Sequence, residues 1–256
     1  MKTIVDLTIL EKVTPNNNCV IFKCNCKEKL PNMIPGQFAS IRVDNNKGVL
    51  LRRPFSIHDY DENENTVSFL IKKLGRGSTS LSKLTIGDTL NTLIPLGNNF
   101  HFNPTFNKKP LLIGGGVGIA PIYFLAKELH KKNIQLDTLI GGKYNSDILF
   151  SDLFANLCNF YCTTEDGSMG TKGFVTNHDV FSRITDYDSI YCCGPEPMMK
   201  SIAKVAKDNN IFCEVSLENK MACSIGVCLC CVTETKHGNK CVCTTGPVFN
   251  INELKW

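Results

Sequence analysis

Apolar and polar residues alternate in short runs through the first part of the chain: "KTIVDLTILEKV", "CVIFKCN", "GQFASIRV", "TVSFLIKKL" and "GDTLNTLIPLG". Alternation with a period of two marks half-buried strands, and Pro15, Pro35, Gly36, Asn45 and Asn46 punctuate the runs as turn residues. The pattern predicts a small antiparallel β-barrel. From Pro110 the texture changes: "PLLIGGGVGIAPIYFLAKELHKKN" reads as an apolar strand, a glycine turn and a helix with Ile122, Leu125, Ala126 and Leu129 on one face. Strand and helix patterns then alternate through "LDTLIGGKY", "DILFSDLFANL", "FYCTTED", "VFSRITDY", "SIYCCG" and "EPMMKSIAKVAKDNN", which predicts a parallel sheet flanked by helices. After "FCEVSLE" the periodicity stops, and the remaining segment is too short to own a core and calls for a metal to hold it. Breaks near Asn103 to Lys109 and near Glu218 divide the chain into a barrel domain (1–103), an α/β domain (104–217) and a small cysteine-rich subdomain (218–256).

The 256 residues are 43% hydrophobic, enough for real cores. A net charge of +4, with no long block of either sign, gives no polybasic tail for nucleic acid or membrane. No run has the length of a signal peptide or of the roughly 18 apolar residues of a membrane span, so a cytoplasmic location is expected. Fourteen cysteines in that setting stay reduced, which favours metal ligation over a disulfide framework. Cys19, Cys24, Cys26, Cys158, Cys162, Cys192 and Cys213 are scattered and read as small buried hydrophobes. The dense group of six within "MACSIGVCLCCVTETKHGNKCVCTTGPVF" is different.

In "GGGVGIAP", Gly114, Gly115, Gly116 and Gly118 lie between a strand and a helix start, where glycine permits a tight turn and close approach of a pyrophosphate to free N–H groups. The spacing is not G-x-G-x-x-G, and a turn that merely packs helix on strand would look the same. Context comes from "YCCGPEPMM", which sets Cys193, Gly194 and Pro195 at the carboxyl edge of the same sheet, the edge where ligands of open parallel sheets bind. Glu165 and Asp166 follow another strand; carboxylates there accept from ribose hydroxyls and repel a 2′-phosphate, favouring NADH over NADPH, although an acidic turn needs no ligand. In the barrel half, "RRPFSIHD" spans the end of one strand and the start of the next. Arg53 offers a fork of donors to a pyrophosphate, and Ser56 a hydroxyl to a flavin edge. "LIKKLGRGSTSL" places Gly77 and Ser78 in a glycine turn before a short helix starting near Ser80, in reach of phosphate oxygens.

Together, R-P-F-S-I, G-G-G-V-G-I-A-P and C-G-P-E-P-M-M resemble the ferredoxin reductase superfamily. With "SLENKMACSIGVCLCC" and "GPVF" the chain is similar over essentially its full length to the electron transfer subunits of class B, NAD-dependent dihydroorotate dehydrogenase. The resemblance implies FAD contacts from Arg53, Pro54, Phe55, Ser56, Leu70, Ile71, Lys72, Gly77 and Ser78, and places Cys193 beside the nicotinamide of NAD(H), where the alternative is an ordinary strand-end cysteine. Cys223, Cys228 and Cys231 form C-x4-C-x2-C, the plant-type spacing for a [2Fe-2S] cluster, and Gly226 lets that loop wrap closely. By the family pattern Cys243 is the fourth ligand and Cys230 and Cys241 are spare. A zinc site built from Cys228, Cys231, Cys241 and Cys243 is the rival, with C-x-C a poor second half.

Hydride chemistry moves two electrons and a [2Fe-2S] cluster moves one, so a flavin between them makes a relay. His58, His101, His130, His178 and His237 form no catalytic constellation. Electrons must then reach or leave through a partner, and the resemblance implies an FMN-containing catalytic subunit that oxidises dihydroorotate, with two copies of each chain. The competing expectations are a diaphorase subunit of a ferredoxin reductase, sulfide dehydrogenase or hydrogenase, and a non-redox module stabilised by zinc.

Overall fold

The computed structural model describes residues 2–103 and 105–256; Met1 and Pro104, the latter inside the expected linker, lie outside the described residues. Six strands, β1 (Thr3–Asn16), β2 (Cys19–Asn25), β3 (Phe38–Ile41), β4 (Arg53–Asp61), β5 (Thr66–Lys72) and β6 (Thr89–Leu96), close an antiparallel barrel in the order β1-β2-β5-β4-β3-β6. Closure removes both edges, so β5 is buried at six of its seven positions. Five of the strands follow the alternation. The sixth, β4, is "RPFSIHDYD" itself, so the motif opens a strand instead of joining two, and Phe38↔Ser56 and Ile41↔Arg53 pair it to β3.

Helix α1 (Arg76–Leu81) follows β5 and begins four residues before the expected Ser80, because the Ser78 hydroxyl caps it locally by accepting from the N–H groups of Leu74 and Gly75 at 2.9 and 3.2 Å. Gly77 and Ser78 are therefore first-turn residues of the helix.

The second half is the expected α/β layer. Strands β7 (Lys109–Gly115), β8 (Asp137–Gly142), β9 (Asn159–Thr164), β10 (Thr171–Lys172), β11 (Tyr187–Cys193) and β12 (Phe212–Ser216) run parallel to one another, with helices α2 (Ile119–Lys131), α3 (Ser151–Ala155) and α4 (Glu196–Asp208) between them. The tail adds a hairpin, β13 (Val232–Thr235) with β14 (Gly238–Cys241), and a last strand, β15 (Val248–Asn250), antiparallel to β12, giving the sheet order β10-β9-β8-β7-β11-β12-β15. No helix among the described residues is long and apolar enough to cross a membrane.

Three packing features join the parts. The predicted face of α2 is buried as expected, and the helix also sends Phe124 into the barrel core while Ile122 and Leu125 pack on the sheet. A second core combines Phe38 and Leu96 of the barrel, Ile113 and Val215 of the sheet, and Cys231, Val242 and Cys243 of the tail. The tail, too short to own a core, thus borrows one from its neighbours. Finally, Gly97, at φ +76°, lets the chain leave the barrel against the tail: a Cβ there would meet Pro247 Cδ and the Gly246 carbonyl.

His58 sits where β4 meets α2. It is buried, packed between Tyr123 and Phe150 at ring centroid distances of 4.8 Å each, and its Nδ1 has no partner. Burial lowers its pKa to about 4, with the nearby Ala120 backbone pulling the other way. Because the unfolded chain takes up this proton first, stability is lost as the pH falls from about 6.5 towards 4, by up to about 3 kcal/mol. Urea denaturation at stepped pH should show this slope in the wild type and a shallower one in His58→Phe; parallel curves would exclude His58 as its source.

Candidate functional site

Two cavities open at the carboxyl edge of the sheet, where strand ends leave backbone groups free. The first, about 390 Å³, lies between barrel and sheet. From the barrel come Phe38, Arg53, Pro54, Phe55, Ser56, Leu70 and Lys72, from α1 and its approach Leu74 to Ser78, from α2 Ala120, and from the tail Glu218 to Met221 and Pro247. Cations and hydroxyls at one end and apolar side chains elsewhere suit a molecule with both phosphates and a large aromatic ring. The α1 end is shaped closely: Arg53 lies across Gly77, where a Cβ would come within 2.7 Å of Nε, while its Nη1 donates to the Leu51 carbonyl at 2.8 Å. These residues fit FAD.

The second cavity, about 450 Å³, is lined by Gly115 and Gly116 after β7, Gly141 to Lys143 after β8, Asp147, Thr163 and Glu165 around β9, and Pro195, Met198 and Ser201 at the start of α4. Lys72 lines both cavities, so they meet at its side chain. Glu218 also lines the first cavity and its side chain is exposed there; desolvation by the nearby protein raises its carboxyl above the usual range and the Lys72 charge draws it back.

Beyond the first cavity the tail winds through Ser224, Gly226 and Leu229, all at positive φ, so that N–H groups turn onto sulfur. Ile225 and Cys228 donate to Cys223 Sγ at 3.5 and 3.4 Å, and Cys243 donates to Cys231 Sγ at 3.4 Å. The bond from Ile225, then that from Cys228, lowers the Cys223 thiol to about 6, a thiolate near neutral pH. Burial and then contact with Cys231 push Cys243 up to about 12. Among the described residues no three His, Cys, Asp or Glu side chains are gathered tightly enough for a single metal ion. Amide donors aimed at cysteine sulfur are what an iron–sulfur cluster draws on, and the donor set fits one. The loop is tied to the barrel by a buried bond, 2.9 Å long, between the hydroxyls of Ser40 and Ser224.

Comparison with known proteins covers the same three parts. Residues 5–101 match an oxidoreductase FAD-binding domain, 112–204 an oxidoreductase NAD-binding domain, and 218–255 the iron–sulfur cluster binding domain of dihydroorotate dehydrogenase B. The dihydroorotate dehydrogenase B (NAD(+)) electron transfer subunit of a Geobacillus species is 38% identical over 86% of each chain. That of Fusobacterium nucleatum is 34% identical over 96% of this chain and 98% of its own. The chain belongs to this family of electron transfer subunits. Among solved structures, that of an NADH-dependent reduced ferredoxin–NADP oxidoreductase superposes with a TM-score of 0.85, at 28% identity over 98% of this chain and 90% of that one. A ferredoxin reductase of carbazole 1,9a-dioxygenase, at 20% identity and a TM-score of 0.71, shares the fold.

Within the family frame, the structure separates lining residues from packing residues. Arg53, Pro54, Phe55, Ser56, Leu70, Lys72, Gly77 and Ser78 line the first cavity; the Ile71 side chain is buried in the barrel core. Gly115, Gly116, Glu165 and Pro195 line the second. Gly114, Gly118 and Gly194 do not: a Cβ on Gly114 would press on Ile119 and Ile140, one on Gly118 would collide with the Cys193 carbonyl, and one on Gly194 would meet Met198 and Gly115. Asp166 turns back to accept from Ser168, whose hydroxyl and N–H pull its pKa down. Cys193 lines neither cavity; it is fully buried, and desolvation pushes its thiol well up. Glu218, Pro247, Asp147 and Lys143 were not singled out from sequence. Glu218 and Lys143 follow strands at the carboxyl edge, a signal the sheet rule could have supplied.

Gly118→Ala should destabilise the protein by about 1–3 kcal/mol through this backbone collision. A lowered urea midpoint is expected; an unchanged one would mean that the α2 start shifts freely.

Proposed function

We propose that this chain relays electrons between NAD and the FMN-containing catalytic subunit of a dihydroorotate dehydrogenase, in pyrimidine biosynthesis in the cytoplasm, as two copies of each chain. The observation that carries the reading is the meeting of three elements in one chain: the FAD-shaped cleft, a nucleotide cavity sharing Lys72 with it, and amide-lined thiols on the neighbouring loop. The names of its relatives supply the partner's reaction.

Bound FAD supplies the exchange between the two-electron chemistry of a nicotinamide and the one-electron chemistry of a [2Fe-2S] cluster. The chain's own residues position and shield. Arg53, spread over Gly77, and the first turn of α1 would hold the pyrophosphate of FAD, Pro54, Phe55, Leu70 and Val117 would give its ring an apolar bed, and Ser56 would offer its hydroxyl to the ring. The backbone of Gly115 and Gly116 receives the NAD pyrophosphate, and Glu165 accepts from ribose hydroxyls. Cys193 acts from beneath, as packing that sets the end of β11 against Gly118. Cys223, Cys228, Cys231 and Cys243 would ligate the cluster. The limits 1–103, 104–217 and 218–256 describe its FAD, NAD and cluster units.

A second reading is favoured by one observation, the 0.85 superposition on a ferredoxin–NADP oxidoreductase: a diaphorase subunit serving another complex. The partner that co-purifies distinguishes them, since only an FMN protein oxidising dihydroorotate satisfies the first.

Arg53→Ala should lower the FAD retained through gel filtration several-fold, and undiminished flavin would remove Arg53 from the pyrophosphate site. Cys228→Ala should abolish dihydroorotate-dependent NADH formation by the assembled complex while NADH reduction of FAD, followed at 450 nm or so, stays within about twofold of wild type. Equal collapse of both activities would place the cluster elsewhere in the relay.

A further inference from the structure

Of residues 223–230, the stretch that carries Cys223 and Cys228, only Ser224 is buried. The loop therefore has no buried apolar side chain to fix its shape. What meets Ser224 comes from the barrel. Its hydroxyl lies 2.9 Å from that of Ser40, and with the two residues 2% and 0% exposed each hydroxyl is shut off from water and satisfied by the other. Ser40 belongs to β3 and pairs across the ladder with Pro54, which lines the first cavity. One hydrogen bond thus joins the strand beside the FAD bed to the residue next to Cys223.

Ser224 stands at φ +61°, in the left-handed region that a residue with a Cβ seldom occupies. A contact from outside the loop must favour that conformation, and the buried hydroxyl bond does so. The turn has a chemical consequence. It brings the Ile225 N–H onto Cys223 Sγ at 3.5 Å, and the Cys228 N–H follows at 3.4 Å. An iron–sulfur cluster gains one negative charge on reduction, so N–H donors on a ligand sulfur favour the reduced form and raise the reduction potential.

We propose that Ser40 is a positioning residue for the cluster: acting through Ser224, it holds the left-handed turn that aims amides at Cys223 and thereby raises the reduction potential of the cluster. This deepens the relay reading and rests on its assignment of Cys223 as a ligand. Ser40 neither gives nor takes an electron, and no bond to iron is made or broken. Because β3 also pairs with Pro54, a single strand sets both the FAD bed and the turn that tunes the next member of the relay.

Wild type, Ser40→Ala, Ser224→Ala, Ser224→Gly and the double variant Ser40→Ala/Ser224→Gly should be compared as full chains for iron, acid-labile sulfide, FAD and EPR spectrum. The ratio of reduced to oxidised cluster is then read at one fixed potential, the wild-type midpoint, set with redox mediators. Ser40→Ala should keep its FAD and most of its iron, with a shifted EPR signal and a ratio several-fold below wild type. Ser224→Ala should do the same. Glycine takes positive φ without a Cβ penalty, so Ser224→Gly and the double variant should both lie within about twofold of the wild-type ratio. Wild-type EPR and ratio in Ser40→Ala would overturn the proposal, as would a double variant that stays as low as Ser40→Ala. Should Ser40→Ala prove insoluble, the two single variants at Ser224 decide, and equal ratios in them overturn it. A wild-type chain without iron or sulfide would instead overturn the cluster reading itself.

Discussion

Two hydrogen bonds between Asn98 and Val248, one in each direction at 2.8 and 2.9 Å, join the exit of the barrel to the last strand of the sheet. Asn98 also donates its N–H to the Gly246 carbonyl at 2.7 Å, and Leu217 donates to Pro247 at 2.9 Å. Individually such bonds contribute about 0.5–1.5 kcal/mol, less than the roughly 1.5–3 kcal/mol from burying one large apolar side chain. Phe124 in the barrel core and the shared packing around Phe38, Leu96 and Val242 therefore supply most of the adhesion. The hydrogen bonds, being directional, decide the register at which barrel, sheet and tail meet. That register places the first cavity, because its walls come from all three.

A relay needs its redox groups at fixed separation, and a loosely tethered tail could not provide it. This tail is fastened at both ends. Strand β15 extends the sheet next to β12, the hydroxyl pair of Ser40 and Ser224 fastens the cysteine loop to β3, and Cys231 and Cys243 are themselves buried in common packing. Positive φ at Ser224, Gly226 and Leu229 then turns amide groups inward onto sulfur. The loop is shaped by its backbone, and the cluster it receives is held by a frame that already stands.

Charge in the site follows the same economy of position. Lys72 stands at the junction of the cavities, and its charge is felt by Glu218, which lines the first. Glycine serves two separate ends in the same few residues: Gly115 and Gly116 leave backbone open to the second cavity, while Gly114 lets Ile119 of α2 close on β7 and Gly118 lets the start of α2 press on the end of β11.

Much of this was legible in the chain itself. Period-two runs announced the barrel, the change to alternating strand and helix announced the parallel sheet, and C-x4-C-x2-C announced the metal, because each is a local consequence of side-chain spacing. The sixth barrel strand hid in "RPFSIHD", where arginine and proline look like a turn until a partner strand is present to pair with it. The start of α1 at Arg76, the half of the glycines that pack instead of lining, the enclosure of Cys193 and the presence of Lys72 in both cavities were set by contacts between distant segments. The tail shows the division most clearly. Its composition determined that it would bind metal, but the strand it lends to the sheet and the core it borrows exist only after residues 150 apart in sequence, Asn98 and Val248, have met.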